Sequence, residues 1–150
     1  MIDAPPDLTV LFTVGYQDLP NPGALVGQLQ AAGVERLVDV RANASSRKRG
    51  FSKRALWETL SDAGIFYEHW PALGNPAEIR ALYRSGDVPA GREAYRAHLR
   101  NGSGRALETL AQSLTESRTC ILCLEEDHRL CHRDIIAEEL SETSVRIEHL

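Results

Sequence analysis

Short apolar runs rich in β-branched residues alternate with helix-patterned segments from one end of this chain to the other. That alternation restricts the fold more than any single motif does. Residues 8–14 form such a run and stop at Gly15, as a buried strand should. Asn21-Pro22 supplies an N-cap and a first-turn proline for a helix through Leu25, Val26, Leu29 and Ala32 that ends at Gly33. A second strand over Val34–Val40 closes on Asp39, with Arg41 just beyond. Ser52 is placed to cap a helix with apolar positions Ala55, Leu56, Leu60 and Ala63, and residues 65–70 make a third strand broken by Pro71. Three helical segments follow: one opened by Asn75-Pro76, one over about 90–100 and one capped by Ser103. A strand over Thr119–Leu124, a helix from about Cys131 to Glu142 and a strand over Ser144–Leu150 complete the pattern. The pattern predicts one α/β domain over residues 1–150. Its three layers are a mostly parallel five-stranded sheet and helices on both faces, with a helical insertion before strand four.

At 150 residues the chain is long enough to bury a real core. No apolar run approaches the ~20 residues that span a bilayer. Met1 to Asp7 offers neither a basic start nor an apolar signal core, and three cysteines cannot all pair, so the expectation is a reduced, cytoplasmic protein. The net charge of -4 hides a contrast. Residues 41–54 carry Arg41, Arg47, Lys48, Arg49, Lys53 and Arg54 with no acid, which leaves -10 on the rest. A basic segment on an acidic body suits a local anion-binding surface, or equally a solvated loop.

In doubly wound sheets, ligands sit beyond the carboxyl ends of the strands. Tyr16, Asp39, Arg41, His69 and Glu125 all occupy such ends. Cys123, Glu125, Cys131, His132 and Arg133 gather five ionisable side chains of four kinds within eleven residues. Strand alternation sends Cys120 and Cys123 to opposite faces and puts Cys123 with Glu125 on one. Cys120 therefore reads as core. Arg133 in a first helical turn opposes the macrodipole, and a bound anion or a carboxylate in front of it would relieve that. An ion pair with Asp39 or Glu125 would serve as well.

His132 has a reference pKa suited to acid or base catalysis, or it is a structural histidine bonded to a carbonyl. Cys131, at a helix start beside His132 and Arg133, meets the conditions that lower a thiol pKa. Arg133 follows it by only two residues, which disfavours phosphatase chemistry through that thiol. Cys123, Cys131 and His132, with Asp39 or Glu125, include zinc or iron ligand types. Adjacent residues on a helix point ~100° apart, however, so the reading assigns no metal. No motif demands a cofactor, and glycine-rich phosphate loops are absent. His98, His128 and His149 read as surface residues without a supporting cluster.

The ordered set Thr13-Val14-Gly15-Tyr16, Leu37-Val38-Asp39-Val40-Arg41, Ser46-Arg47, Phe51, Tyr67-Glu68-His69, Leu73-Gly74, Ile121 to Glu125, Cys131-His132-Arg133 and Val145 to Leu150 resembles the family of uncharacterised proteins known as domain of unknown function 488. The resemblance covers most of the chain. It implies a compact α/β domain with a polar site built from these residues, and no particular reaction. The chain departs from the family pattern at Ala44, where a proline is usual, and at Gly74-Asn75, where a glycine pair is usual.

The expectation is a hydrolase or transferase acting on a phosphorylated or nucleotide-like small molecule. Arg41, Arg47 and Arg133 would hold the anion with Tyr16 and His69 nearby, and Glu125, Asp39, His132 and Cys131 would carry the chemistry. The alternatives are a binding module for nucleotide or nucleic acid that uses residues 41–54, and a thiol- or metal-dependent redox protein.

Overall fold

The computed structural model describes residues 9–150; Leu8 of the first predicted strand and the stretch read for an export signal lie outside the described residues. Five strands, β1 (Thr9–Gly15), β2 (Arg36–Asp39), β3 (Phe66–His69), β4 (Thr119–Cys123) and β5 (Val145–His149), form one sheet in the order β3-β2-β4-β1-β5. Every neighbouring pair is parallel, so each link must cross a face of the sheet. The helices α1 (Pro22–Ala31), α2 (Lys53–Asp62), α3 (Ala77–Arg84), α4 (Val88–Asn101), α5 (Gly104–Ser113) and α6 (Arg133–Ser141) make those crossings.

Strand alternation sorts the core into two halves. Phe12, Val14, Leu37, Cys120 and Leu122 face one way and are covered by Leu25 and Leu29 of α1 and Leu56 and Leu60 of α2. Leu11, Val38, Ile121 and Cys123 face the other, against Tyr95 and Leu99 of α4, Leu110 of α5 and Ile135, Ile136 and Leu140 of α6. Each fully buried leucine contributes roughly 1.5–3 kcal/mol, and such side chains fasten both helical layers. Cys120 and Cys123 thus lie on opposite faces, as strand alternation requires. Three helices, α3 to α5, separate β3 from β4. Among the described residues no helix is long and apolar enough to cross a membrane.

The strand order creates the crevice. From β2 the chain crosses by α2 toward the β3 edge; from the adjacent β4 it crosses by α6, on the opposite face, toward β5. The loops leaving β2 and β4 therefore separate and leave a hollow between them at the carboxyl ends. The loop after β1 meets the loop after β4: Tyr16 N–H donates to Cys123 O at 3.2 Å and Gln17 N–H to Leu124 O at 2.9 Å. A Cβ on Gly15 would collide with the Glu125 carbonyl, so only glycine allows this crossing.

Three local expectations change. Asn21 does cap α1, accepting from Ala24 N at 2.9 Å, but neither Ser52 nor Ser103 caps a helix with its side chain. The Ser52 hydroxyl instead accepts from Ser46 N at 3.0 Å, and Ser103 donates to Ala72 O at 2.6 Å. The last helix starts at Arg133, because a 3-10 turn over His128–Leu130 leaves Cys131 extended.

Candidate functional site

A cavity of about 600 Å³ opens between the β2 and β4 loops, with α3 as its outer wall. Arg41, Arg47, Lys48, Arg80 and Arg84 line it as cations, against Glu125 as its carboxylate. Tyr16, Cys123, Cys131 and His132 line it too, so the ends of β1, β2 and β4 converge as the topology demands.

The β2 side is a closed ionic unit. Asp39 is fully buried and takes Arg41 in two parallel bonds, Nε to Oδ1 at 2.8 Å and Nη2 to Oδ2 at 2.6 Å. Tyr67 donates to the same Oδ2 at 2.5 Å. Arg41 Nη1 also donates to Tyr16 Oη at 3.0 Å and Phe51 O at 2.8 Å, while the Tyr16 ring stacks on Phe51 with centroids 4.7 Å apart. Burial works to lower the Arg41 pKa, but its bonds to the Asp39 carboxylate and Tyr16 outweigh that and raise it. Burial and the same carboxylate push the Tyr67 phenol well above its ordinary range. Asp39 therefore positions Arg41 and lies beneath it, instead of standing in the cleft as an acid or base.

His69 also departs from expectation. Its Nε2 lies 2.7 Å from Arg41 O, and because a carbonyl only accepts, that nitrogen donates. The ring lines a separate apolar hollow of about 380 Å³ with Lys53, Arg54, Trp57 and Tyr67. The basic loop reaches the cleft because it is tied down: Lys53 N–H donates to Ala44 O at 2.7 Å and Lys48 Nζ to Gln17 O at 2.7 Å. Arg47, by contrast, is exposed at the cleft edge, as a ligand-holding arginine should be.

The β4 side holds the thiols. The sulfurs of Cys123 and Cys131 lie within disulfide-bonding distance, although their Cα atoms are 7.6 Å apart. Cys123 Sγ lies 3.3 Å from Glu125 Oε2, confirming that these two share a face. His132 is buried, and its Nε2 donates to Val40 O at 2.6 Å, which leaves Nδ1 unprotonated 3.6 Å from Cys131 Sγ. Burial pulls its pKa down to about 4, so the ring is neutral at physiological pH. Tyr95 fixes the other edge of the ring, with centroids 5.1 Å apart. Helical spacing made Cys131 and His132 diverge; the extended backbone at Cys131 instead lets both face the cleft.

Arg133 lies beneath the cleft, only 1% exposed. It donates to Glu125 O at 2.5 Å, Glu126 O at 3.1 Å, Cys123 Sγ at 3.3 Å and Thr13 Oγ1 at 3.3 Å. Among the described residues it has no carboxylate ion-pair partner, so it shapes the β4 loop and the field at Cys123 instead of gripping a ligand directly.

Several cleft residues escaped the sequence reading. Asn75, 5% exposed, has an Oδ1 without a partner, and Arg80 Nε and Tyr83 Oη are likewise buried and unpaired. All three line the cavity. Burial raises the Tyr83 phenol to about 12, which keeps its proton available for donation. Arg80, Tyr83 and Arg84 stand at i, i+3 and i+4 of α3, a spacing that marks one helix face. Gly74 brings this wall in, since a Cβ there would strike the Ala42 backbone.

Cys123 and Arg129 do stand at the Cys-x5-Arg spacing of cysteine phosphatases, but the intervening Leu-Glu-Glu-Asp-His is acidic. Arg129 is exposed and bonded to both Asp127 oxygens, at 3.0 and 2.9 Å. His128 and His149, expected as isolated surface residues, stack at 3.5 Å, with His128 2.6 Å from Asp134.

A model of the family described as Domain of unknown function DUF488 matches residues 22–140. The chain belongs to this family. The DUF488 match takes in β2, β4, α3 and the start of α6, and so includes every element of the cleft except the end of β1. No curated protein and no solved structure matches the chain.

Proposed function

We propose that this DUF488 protein is an enzyme of hydrolase or transferase type whose substrate is a phosphorylated or nucleotide-like small molecule held in the cleft. One observation carries the reading: three residues that line one cation-rich cavity, Asn75, Arg80 and Tyr83, each hold a buried polar atom without a partner. A buried polar group left unpaired costs about 1–3 kcal/mol, so three in one cavity fit a site completed by ligand. Arg80, Arg84, Arg47 and Lys48 take the anion, and none of them has a carboxylate ion-pair partner among the described residues. Arg41 is neutralised from below by Asp39 and orients the substrate through its remaining surface. Glu125 is the acid or base, beside Cys131 and His132 on the cavity floor.

The test separates binding from chemistry. Glu125→Gln is expected to keep affinity for the nucleotide or sugar phosphate that stabilises the wild type, and to lose turnover by ~10²–10⁴-fold. Unchanged turnover in Glu125→Gln would remove the proposed role.

A second reading has its own support. Trp57 is 55% exposed and lines one hollow with Lys53 and Arg54, a pairing of aromatic and cations that suits stacking on single-stranded nucleic acid. Oligonucleotide binding that weakens steeply with salt and is lost in Trp57→Ala would favour this binding module.

A further inference from the structure

The anion-holding groups leave the buried floor of the cleft without a role, and its chemistry is of a different kind. Cys123 Sγ, Cys131 Sγ and a ring nitrogen of His132 all lie within 4.8 Å of one another. We propose that these three side chains bind a zinc ion, with the fourth coordination position open to the cleft beside Glu125.

Four observations support the site. First, the Cα atoms of Cys123 and Cys131 are 7.6 Å apart, wider than the ~4.4–6.8 Å that disulfides adopt. Two thiolates bridged by zinc at ~2.3 Å accommodate a wider separation. Second, a disulfide would have no use for a third donor, yet His132 presents Nδ1 to the sulfurs because its Nε2–H is committed to Val40 O at 2.6 Å. A ring nitrogen fixed through its partner on a backbone carbonyl is the usual support of a metal-binding histidine.

Third, Arg133 places a buried cation 3.3 Å from Cys123 Sγ and finds no carboxylate ion-pair partner among the described residues. Its backbone N–H also points at Cys131 Sγ, 3.5 Å away. Both contacts aim donors at the two sulfurs, the outer support that metal-bound cysteines commonly receive. Fourth, the donors are Cys, Cys and His, a set that selects zinc over magnesium or calcium. They come from two elements, the end of β4 and the turn before α6, and they face a cavity large enough to admit a substrate. Three protein ligands and one open position describe a zinc site that acts on substrate, as opposed to a closed structural one.

The test uses the full chain, purified without a metal-affinity step. Elemental analysis is expected to find a single zinc per chain, and cobalt replacement to give thiolate charge-transfer bands together with the visible bands of a tetrahedral ion. Cys131→Ser and His132→Ala are expected to lower metal content at least tenfold, while Cys120→Ser, altered on the opposite face of the sheet, keeps it. The cobalt spectrum of the wild type stands even if a variant fails to fold. Zinc-free protein with both thiols freely titratable would overturn the site. So would thiols that titrate only after reduction, or full zinc content in Cys131→Ser. Metal content is read without substrate. A zinc-free protein that inorganic phosphate still stabilises would therefore overturn this site alone and leave the anion-holding cleft standing.

Discussion

On the β2 side of the cleft, the buried polar atoms of Asp39, Arg41, Tyr16 and Tyr67 all have partners, whereas on the α3 side Asn75, Arg80 and Tyr83 each keep one that has none. Both walls are polar and both carry arginines, so composition does not separate them. Satisfaction does. The first wall is complete without a ligand and supports the structure; the second keeps unpaired groups that a bound ligand can satisfy. A charged residue in a cleft is therefore informative chiefly when its own chain has left it short of a partner.

That contrast can be broken from either wall. The largest effect belongs to Asp39→Ala, which leaves Arg41 charged, buried and unpaired; chemical denaturation is expected to show a loss of ~3–5 kcal/mol. A loss under 1 kcal/mol would mean that the β2 unit is not structural. Tyr67→Phe removes one bond to the same carboxylate, with an expected loss of ~1–2 kcal/mol and unchanged ligand affinity.

Away from the cleft, Asp134 tests the accounting of partners by pH. Burial would raise its pKa, but its bonds to Arg92 and His128 outweigh that and hold it lowered in the folded protein. A lowered folded value means that the stabilisation is present above the unfolded carboxylate range, near ~3.9, and is lost as pH falls through the folded value. Asp134→Asn is expected to cost ~1 kcal/mol at pH 7, with the gap to wild type closing in acid. A gap that stays constant down to acid unfolding would contradict it. The smallest effect on stability is expected from Arg80→Ala, within ~0.5 kcal/mol, while anion affinity falls at least tenfold. Equal affinity in the variant would show that the unpaired α3 groups do not serve a ligand.

Much of this was readable along the chain. Strand-helix alternation, the opposite faces of Cys120 and Cys123, and the meeting of the β2 and β4 ends all follow from period and topology rules. What escaped depended on register and on turns. Asp39 and Arg41, two apart, share a face, but only the pairing of Leu37 with Tyr67 shows that a phenol closes over that carboxylate. Cys131 was read as helical because nothing local announces the 3-10 turn that Asp127 caps, accepting from Arg129 N at 3.0 Å. Asn75, Arg80 and Tyr83 were passed over as part of an inserted helix. The helix face shared by Arg80 and Tyr83 was visible in the sequence; its place on the cavity with Glu125 was not, since tertiary packing decides it.

The central claim, that an anion completes the α3 wall, is tested most directly by the melting temperature of the wild-type protein with nucleoside phosphates, sugar phosphates and inorganic phosphate. A ligand present at a hundred times its Kd adds ~2.7 kcal/mol, which for a chain of this size raises the melting temperature by roughly 5–10 °C. The account predicts such a rise with at least one of these anions and its loss in Arg80→Ala. A melting temperature that no anion moves would contradict it.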